Sequence, residues 1–146
     1  MRHTGILAIT LATVMLLAAF GCSTTSSGPS DTELIGAALT TWKEASVAKD
    51  VDKIMSVISE DFKHEGYDYR AKGKEDMRAF IEDAVSAGNF GDLEISYDPQ
   101  AITIDADTAQ VPGIEWSCTP GTAILGLTLK KENGAWRIID VSVREM

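Results

Sequence analysis

From residue 30 onward, apolar positions recur at helical spacing over three stretches and then alternate with polar ones to the C-terminus. Ser30-Asp31-Thr32-Glu33 has the form of a capping box, with Ser at the N-cap and Glu three positions inside. Leu34, Ile35, Ala38, Trp42 and Ala45 then fall on one helical face. The pattern breaks near Lys49, and Asp50 can cap a second, shorter helix carrying Val51, Ile54, Met55 and Ile58. A third helix is predicted after Gly73. Glu75 and Asp76 complement its N-terminal dipole, Met77, Phe80, Ile81, Ala84 and Val85 form its stripe, and Gly88-Asn89 ends it.

After Asn89 the period becomes two. Leu93–Tyr97, Ala101–Asp105, Ala109–Ser117, Thr122–Lys131 and Ala135–Val143 read as strands, with a turn at Asp105-Ala106-Asp107. Lys131-Glu132-Asn133-Gly134 reads as a hairpin in which Asn-Gly supplies the positive φ angles. Residues 61–65 lie between helices and are expected to form a short strand returning to the sheet. Helices followed by a run of antiparallel strands make residues 31–146 one α+β domain, long enough for a real core.

The first 30 residues are of another kind. Arg2 and His3 precede an apolar run from Gly5 to Phe20, which ends in Ala19-Phe20-Gly21-Cys22. This resembles a bacterial lipoprotein signal (residues 1–21), cut before a cysteine that receives the lipid, with Ala where Leu is more usual at the third position before the cut. The resemblance implies that acylated Cys22 holds the protein to a lipid bilayer, since several chains on one residue anchor firmly. After Cys22 the chain continues as Ser, Thr, Gly and Pro to Ser30 with nothing to bury, and residues 22–30 read as a flexible tether. Ser23, where an Asp would signal inner-membrane retention, implies the periplasmic face of the outer membrane in a Gram-negative cell. In a Gram-positive cell it implies the outer face of the cell membrane.

Charge and cysteine content agree with an envelope location. The formal net charge is −9. Loss of Arg2 with the signal leaves 12 basic side chains against 22 acidic ones, −10. Such a surface repels nucleic acid and anionic headgroups, so no nucleic-acid partner is expected. With Cys22 acylated, Cys118 lacks an intramolecular partner and is expected to be buried and inert, an intermolecular disulfide being the other reading. One histidine and one free cysteine in the mature chain cannot make an ordinary zinc site, and no nucleotide-binding glycine pattern is present. No metal or cofactor is implied.

The order of elements resembles the nuclear transport factor 2-like superfamily, specifically its SnoaL-like members. The resemblance is carried by "AKDVDKIMSVISEDF" (48–62), "GKEDMRAFI" (73–81) and "LTLKKENGAWRIIDVSV" (127–143). It implies three N-terminal helices packed in a strongly curved antiparallel sheet, forming a cone with an internal pocket. Some members are isomerases, cyclases or dehydratases, and others only bind or assemble. Aligned without gaps on the helix pair, the isomerase-type Tyr falls on Trp42, the Asp base on Gly66 and the second acid near Gly126. All three roles are then vacant.

Other residues are candidates for the pocket. His64 and Gly66 share a strand face, and Trp136, Ile138, Asp140 and Ser142 share another that is expected to point inward. A His64–Asp140 pair could then act as base and orienter. His64 is expected nearer the cone's mouth than Trp42. Trp42, Tyr67, Tyr69 and Trp116 are aromatic candidates for a ligand wall. Trp42 and Trp136 read equally as core, and Trp116 equally as an oligomer surface through which two cones could pair. The leading expectation is a lipid-anchored envelope protein whose cone binds a small apolar ligand or a partner protein without catalysis. The alternative is a SnoaL-like enzyme acting on a small organic substrate through His64 or Asp140.

Overall fold

The capping chemistry at the start of α1 (Asp31–Ala48) is complete. The Glu33 N–H donates to Ser30 Oγ at 3.3 Å and the Ser30 N–H to Glu33 Oε2 at 2.7 Å. The computed structural model describes residues 28–65, 70–119 and 121–145. The signal, Cys22, most of the tether, Gly66, Tyr67 and Tyr69 lie outside them.

Lys49 takes a left-handed conformation at the end of α1, and Asp50 caps α2 (Val51–Met55) by accepting from the Lys53 N–H at 3.0 Å. The second helix is shorter than its pattern suggests. Ile58 has left it and lies parallel to the last strand as an isolated bridge to Ile138. After β1 (His64–Glu65) and β2 (Arg70–Ala71), which pair with each other, comes α3 (Lys74–Ser86). Exposed ion pairs from Arg78 to Asp52 and from Lys74 to Glu60 tie α3 to the segment around α2.

The main sheet is antiparallel: β3 (Glu94–Ser96), β4 (Thr103–Asp105), β5 (Thr108–Cys118), β6 (Gly121–Glu132) and β7 (Ala135–Glu145). Its order is β3-β5-β6-β7, with β4 pairing the other end of β5. The strand expected from Ala101 begins two residues later, at Thr103, because Pro99–Ala101 forms a 3-10 turn capped by Asp98. The hairpin forms at Asn133 and Gly134 with φ of 50° and 81°.

Three register shifts curve this sheet, since an extra residue on one strand bends it and increases its twist. In β5, Val111 pairs with Leu127 and Ile114 with Leu125, so Pro112 and Gly113 stand opposite Gly126 alone. Pro112 has no N–H to waste at such a site, and Gly113 supplies the φ of 66°. In β7, Leu129 pairs with Ile138 but Thr128 with Asp140, leaving Ile139 unpaired. The third lies between Ile124 and Leu125, at Arg144. The helices cover the resulting concave face, and one continuous cluster of buried residues joins them to the sheet.

The segment expected to return to the sheet does so along β7, largely without forming a regular ladder. The Ile138 N–H donates to Val57 O at 2.8 Å, the Ser59 N–H to Ile138 O at 2.9 Å, and the Lys63 N–H to Ile139 O at 3.0 Å. The carbonyl of the bulged residue is thereby satisfied by residues 57–63, and His64 is delivered beside β7.

Candidate functional site

The concave face is packed at one end and hollow at the other. Toward the β6–β7 hairpin, Ile35, Leu39, Ala109, Leu129 and Ile138 are fully buried. The Asp31 carboxylate closes this end, accepting from Trp136 Nε1 at 3.0 Å and from Lys131 Nζ at 2.7 Å. Both donors hold the Asp31 carboxyl below the usual carboxylate range, Lys131 most strongly.

Toward the opposite end lies a cavity of about 570 Å³. Its size is in the range of small-molecule sites. Trp42, Ser46 and Ile54 line it from the first two helices, Met77, Phe80, Ile81 and Ala84 from α3. Trp116, Cys118, Ala123, Leu125, Val141 and Val143 line it from the sheet, with Phe90 from the loop after α3. One wall is aromatic: the Trp42 and Trp116 ring centroids are 5.6 Å apart, and Phe90 meets Trp116 edge-on at 5.2 Å. Exposed Phe80, Asn89, Gly121 and Thr122 mark the mouth, while Trp42, Ser46 and Ile54 are buried at the back. The described lining holds hydroxyls, an amide, a thiol and two indole N–H groups but no carboxylate, imidazole, ammonium or guanidinium group. Such a wall can exclude water and hydrogen-bond a guest.

The two acid–base candidates do come together. His64 Nδ1 lies 3.0 Å from Asp140 Oδ1, with the His64 side chain 5% exposed and that of Asp140 35% exposed. Neither is among the described residues lining the cavity. The reason is the bulge at Ile139, which reverses the faces of β7. Trp136 and Ile138 point inward as expected, but beyond the bulge Val141 and Val143 take the inner face. Asp140 pairs across from Thr128, and Ser142 across from Gly126, on the outer face. His64 is also buried rather than at the mouth, correcting the expectation that placed it there. The pair fastens the β1 segment to β7.

Trp116 lies with the aromatic candidates for a ligand wall. It is half-buried in the cavity wall, as the break in apolar alternation around Pro112-Gly113 (Val111, then Ile114, Trp116 and Cys118) would have indicated. Cys118 is a free thiol but only half-buried, and it too lines the cavity. Phe80 sits on the predicted stripe yet is 39% exposed. Ser46, one turn beyond Trp42, was missed because the stripe was traced through apolar residues alone. No group of three or more metal-ligating side chains occurs among the described residues. No helix among them is long and apolar enough to cross a membrane.

Solved structures share this architecture at low sequence identity. A protein of unknown function with a cystatin-like fold from Nostoc punctiforme is 19% identical, with a TM-score of 0.65 over 80% of this chain and 91% of that one. An NTF-2 like protein of unknown function from Shewanella oneidensis is 18% identical, with a TM-score of 0.63 over 77% and 97%. A de novo designed protein with a curved β-sheet is 20% identical, with a TM-score of 0.60 over 75% and 98%. Their likeness establishes the nuclear transport factor 2-like fold. No curated protein matches the chain. The model of the SnoaL-like domain matches residues 35–143, which span both the packed end and the cavity, and the chain belongs to that family.

Proposed function

We propose that this protein binds a small, largely apolar ligand in the cavity behind Trp42 and Trp116, and that acylated Cys22 tethers it in the cell envelope. The observation that carries the binding reading is the cavity itself: about 570 Å³, walled by aromatic and aliphatic side chains. Emptying such a volume of ordered protein sacrifices packing, and a guest with apolar surface restores it. The reading is of binding without catalysis. It is supported by the chemistry of the described lining, which holds no carboxylate or imidazole to serve as a general base. The anchor reading rests on Gly21-Cys22 at the end of an apolar run, followed by a chain with nothing to bury.

The experiment is to purify the full chain from membranes and identify co-extracted small molecules by mass spectrometry. Wild type is expected to retain an apolar compound that Ala123→Phe, which fills the cavity beside Trp116, does not. Equal retention by both would refute the reading. Metabolic labelling with an alkyne fatty acid tests the anchor: wild type takes up label and Cys22→Ser does not.

A further inference from the structure

We infer that Ser46 is a buried polar anchor, and that the cavity's ligand is a neutral hydrophobe presenting one carbonyl, ether or hydroxyl oxygen to it. The inference rests on the binding reading above and specifies the ligand's chemistry.

Ser46 is 1% exposed, and its Oγ is the one buried side-chain nitrogen or oxygen among the described residues with no hydrogen-bond partner. A serine inside a helix ordinarily turns its hydroxyl back to the carbonyl four residues earlier. Thr41 on the same helix does so, donating to Ala37 O at 2.9 Å. Ser46 does not. It stands one turn beyond Trp42 on the same face of α1, and both line the back of the cavity. A buried hydroxyl left unpaired is costly, so it is retained against the local preference where something else completes it.

The partner's charge follows from the rest of the wall. Apart from the indole N–H groups of Trp42 and Trp116, which are neutral donors, the other polar lining side chains, Asn89, Cys118 and Thr122, are exposed or half-buried. No charged side chain stands among the described lining residues, so an ionised group at the back would be buried without a counter-charge. A single neutral oxygen accepting from the Ser46 hydroxyl fits. The remainder of the ligand meets Trp42, Trp116 and aliphatic surface.

The test uses the full chain in lipid nanodiscs, so that partition into lipid is the same for every variant. Two probes differ only at one group: 2-adamantanone, and its isostere 2-methyleneadamantane. Each is measured by displacement of the neutral fluorophore N-phenyl-1-naphthylamine. Ser46→Ala is expected to weaken the ketone roughly fivefold while leaving the isostere within about twofold, and Ser46→Thr to restore the ketone. Without any probe, Ser46→Ala is expected to melt higher than wild type, because it removes an unsatisfied group. A lower melting temperature would show Ser46 to be structural and overturn the inference, as would equal changes for both probes. If wild type binds the fluorophore but does not favour the ketone over its isostere, this inference alone fails. If wild type does not bind the fluorophore, the cavity reading fails with it.

Discussion

The two halves of the concave face share α1 and the strands β5, β6 and β7 and are packed to different ends. At the hairpin end, α1 meets β5, β6 and β7 through Ile35, Leu39, Ala109, Leu129 and Ile138, none more than 1% exposed, and Asp31 clasps Trp136 and Lys131 over them. At the other end, the same helix and strands stand apart around an unfilled volume, with Leu125 and Val141 each 7% exposed. The three bulges separate the strands from a flat course, so that one sheet can close on a helix at one end and open at the other. The packed end supplies the stability that lets the hollow end remain hollow.

The largest effect that sharpens this contrast is leucine truncation at each end. Leu39→Ala removes a side chain with close neighbours on all sides and is expected to cost about 3–5 kcal/mol, toward the upper part of the range for such changes. Leu125→Ala faces space on one side and is expected to cost about 2 kcal/mol or less, because fewer dispersion contacts are lost. Urea melts of the two variants make the comparison, and equal costs would mean that the two ends are packed alike.

Next in size is the His64–Asp140 pair. His64→Ala is expected to destabilise by about 1–2 kcal/mol through the lost hydrogen bond and the lost packing of a buried ring. Asp140→Asn should cost less, its side chain having water as another partner. A double-mutant cycle should return a favourable coupling between them while ligand binding stays at the wild-type level.

The smallest effect is the clasp. The Asp31 carboxyl titrates lower when folded than when unfolded, held down by Lys131 and Trp136. Its contribution is therefore present above the ordinary carboxylate pKa and is lost as pH falls through the folded value. Melts at pH 6 and pH 3 should show wild type losing slightly more stability on acidification than Asp31→Asn. An identical loss in both would remove Asp31 from the account.

What could be read in the sequence was local or periodic. The capping box at Ser30, the Asp50 cap, the three helix starts and the Asn133-Gly134 hairpin each follow from chemistry within a few residues. Strand faces were legible only up to a bulge. The alternation Trp136, Ile138 was extended to Asp140 and Ser142, but Ile139 is unpaired and the side chains from Asp140 to Val143 change sides. The apolar pattern itself records the slip, since Ile138 is followed by Val141 and Val143 at the wrong parity for an unbroken strand. His64 was misplaced for a related reason. Its burial depends on residues 57–63 running along β7, a long-range pairing that carries no periodic signal of its own. The cavity was not legible, because core and pocket walls use the same residues and differ only in whether opposing surfaces meet.

The central claim is that binding resides in the cavity and not in the His64–Asp140 pair. Titration of N-phenyl-1-naphthylamine into wild type, Ala123→Phe and His64→Ala tests it most directly. The account predicts saturable binding of one probe per chain to wild type, the same affinity for His64→Ala, and loss of binding in Ala123→Phe. Retention by Ala123→Phe together with loss in His64→Ala would contradict it.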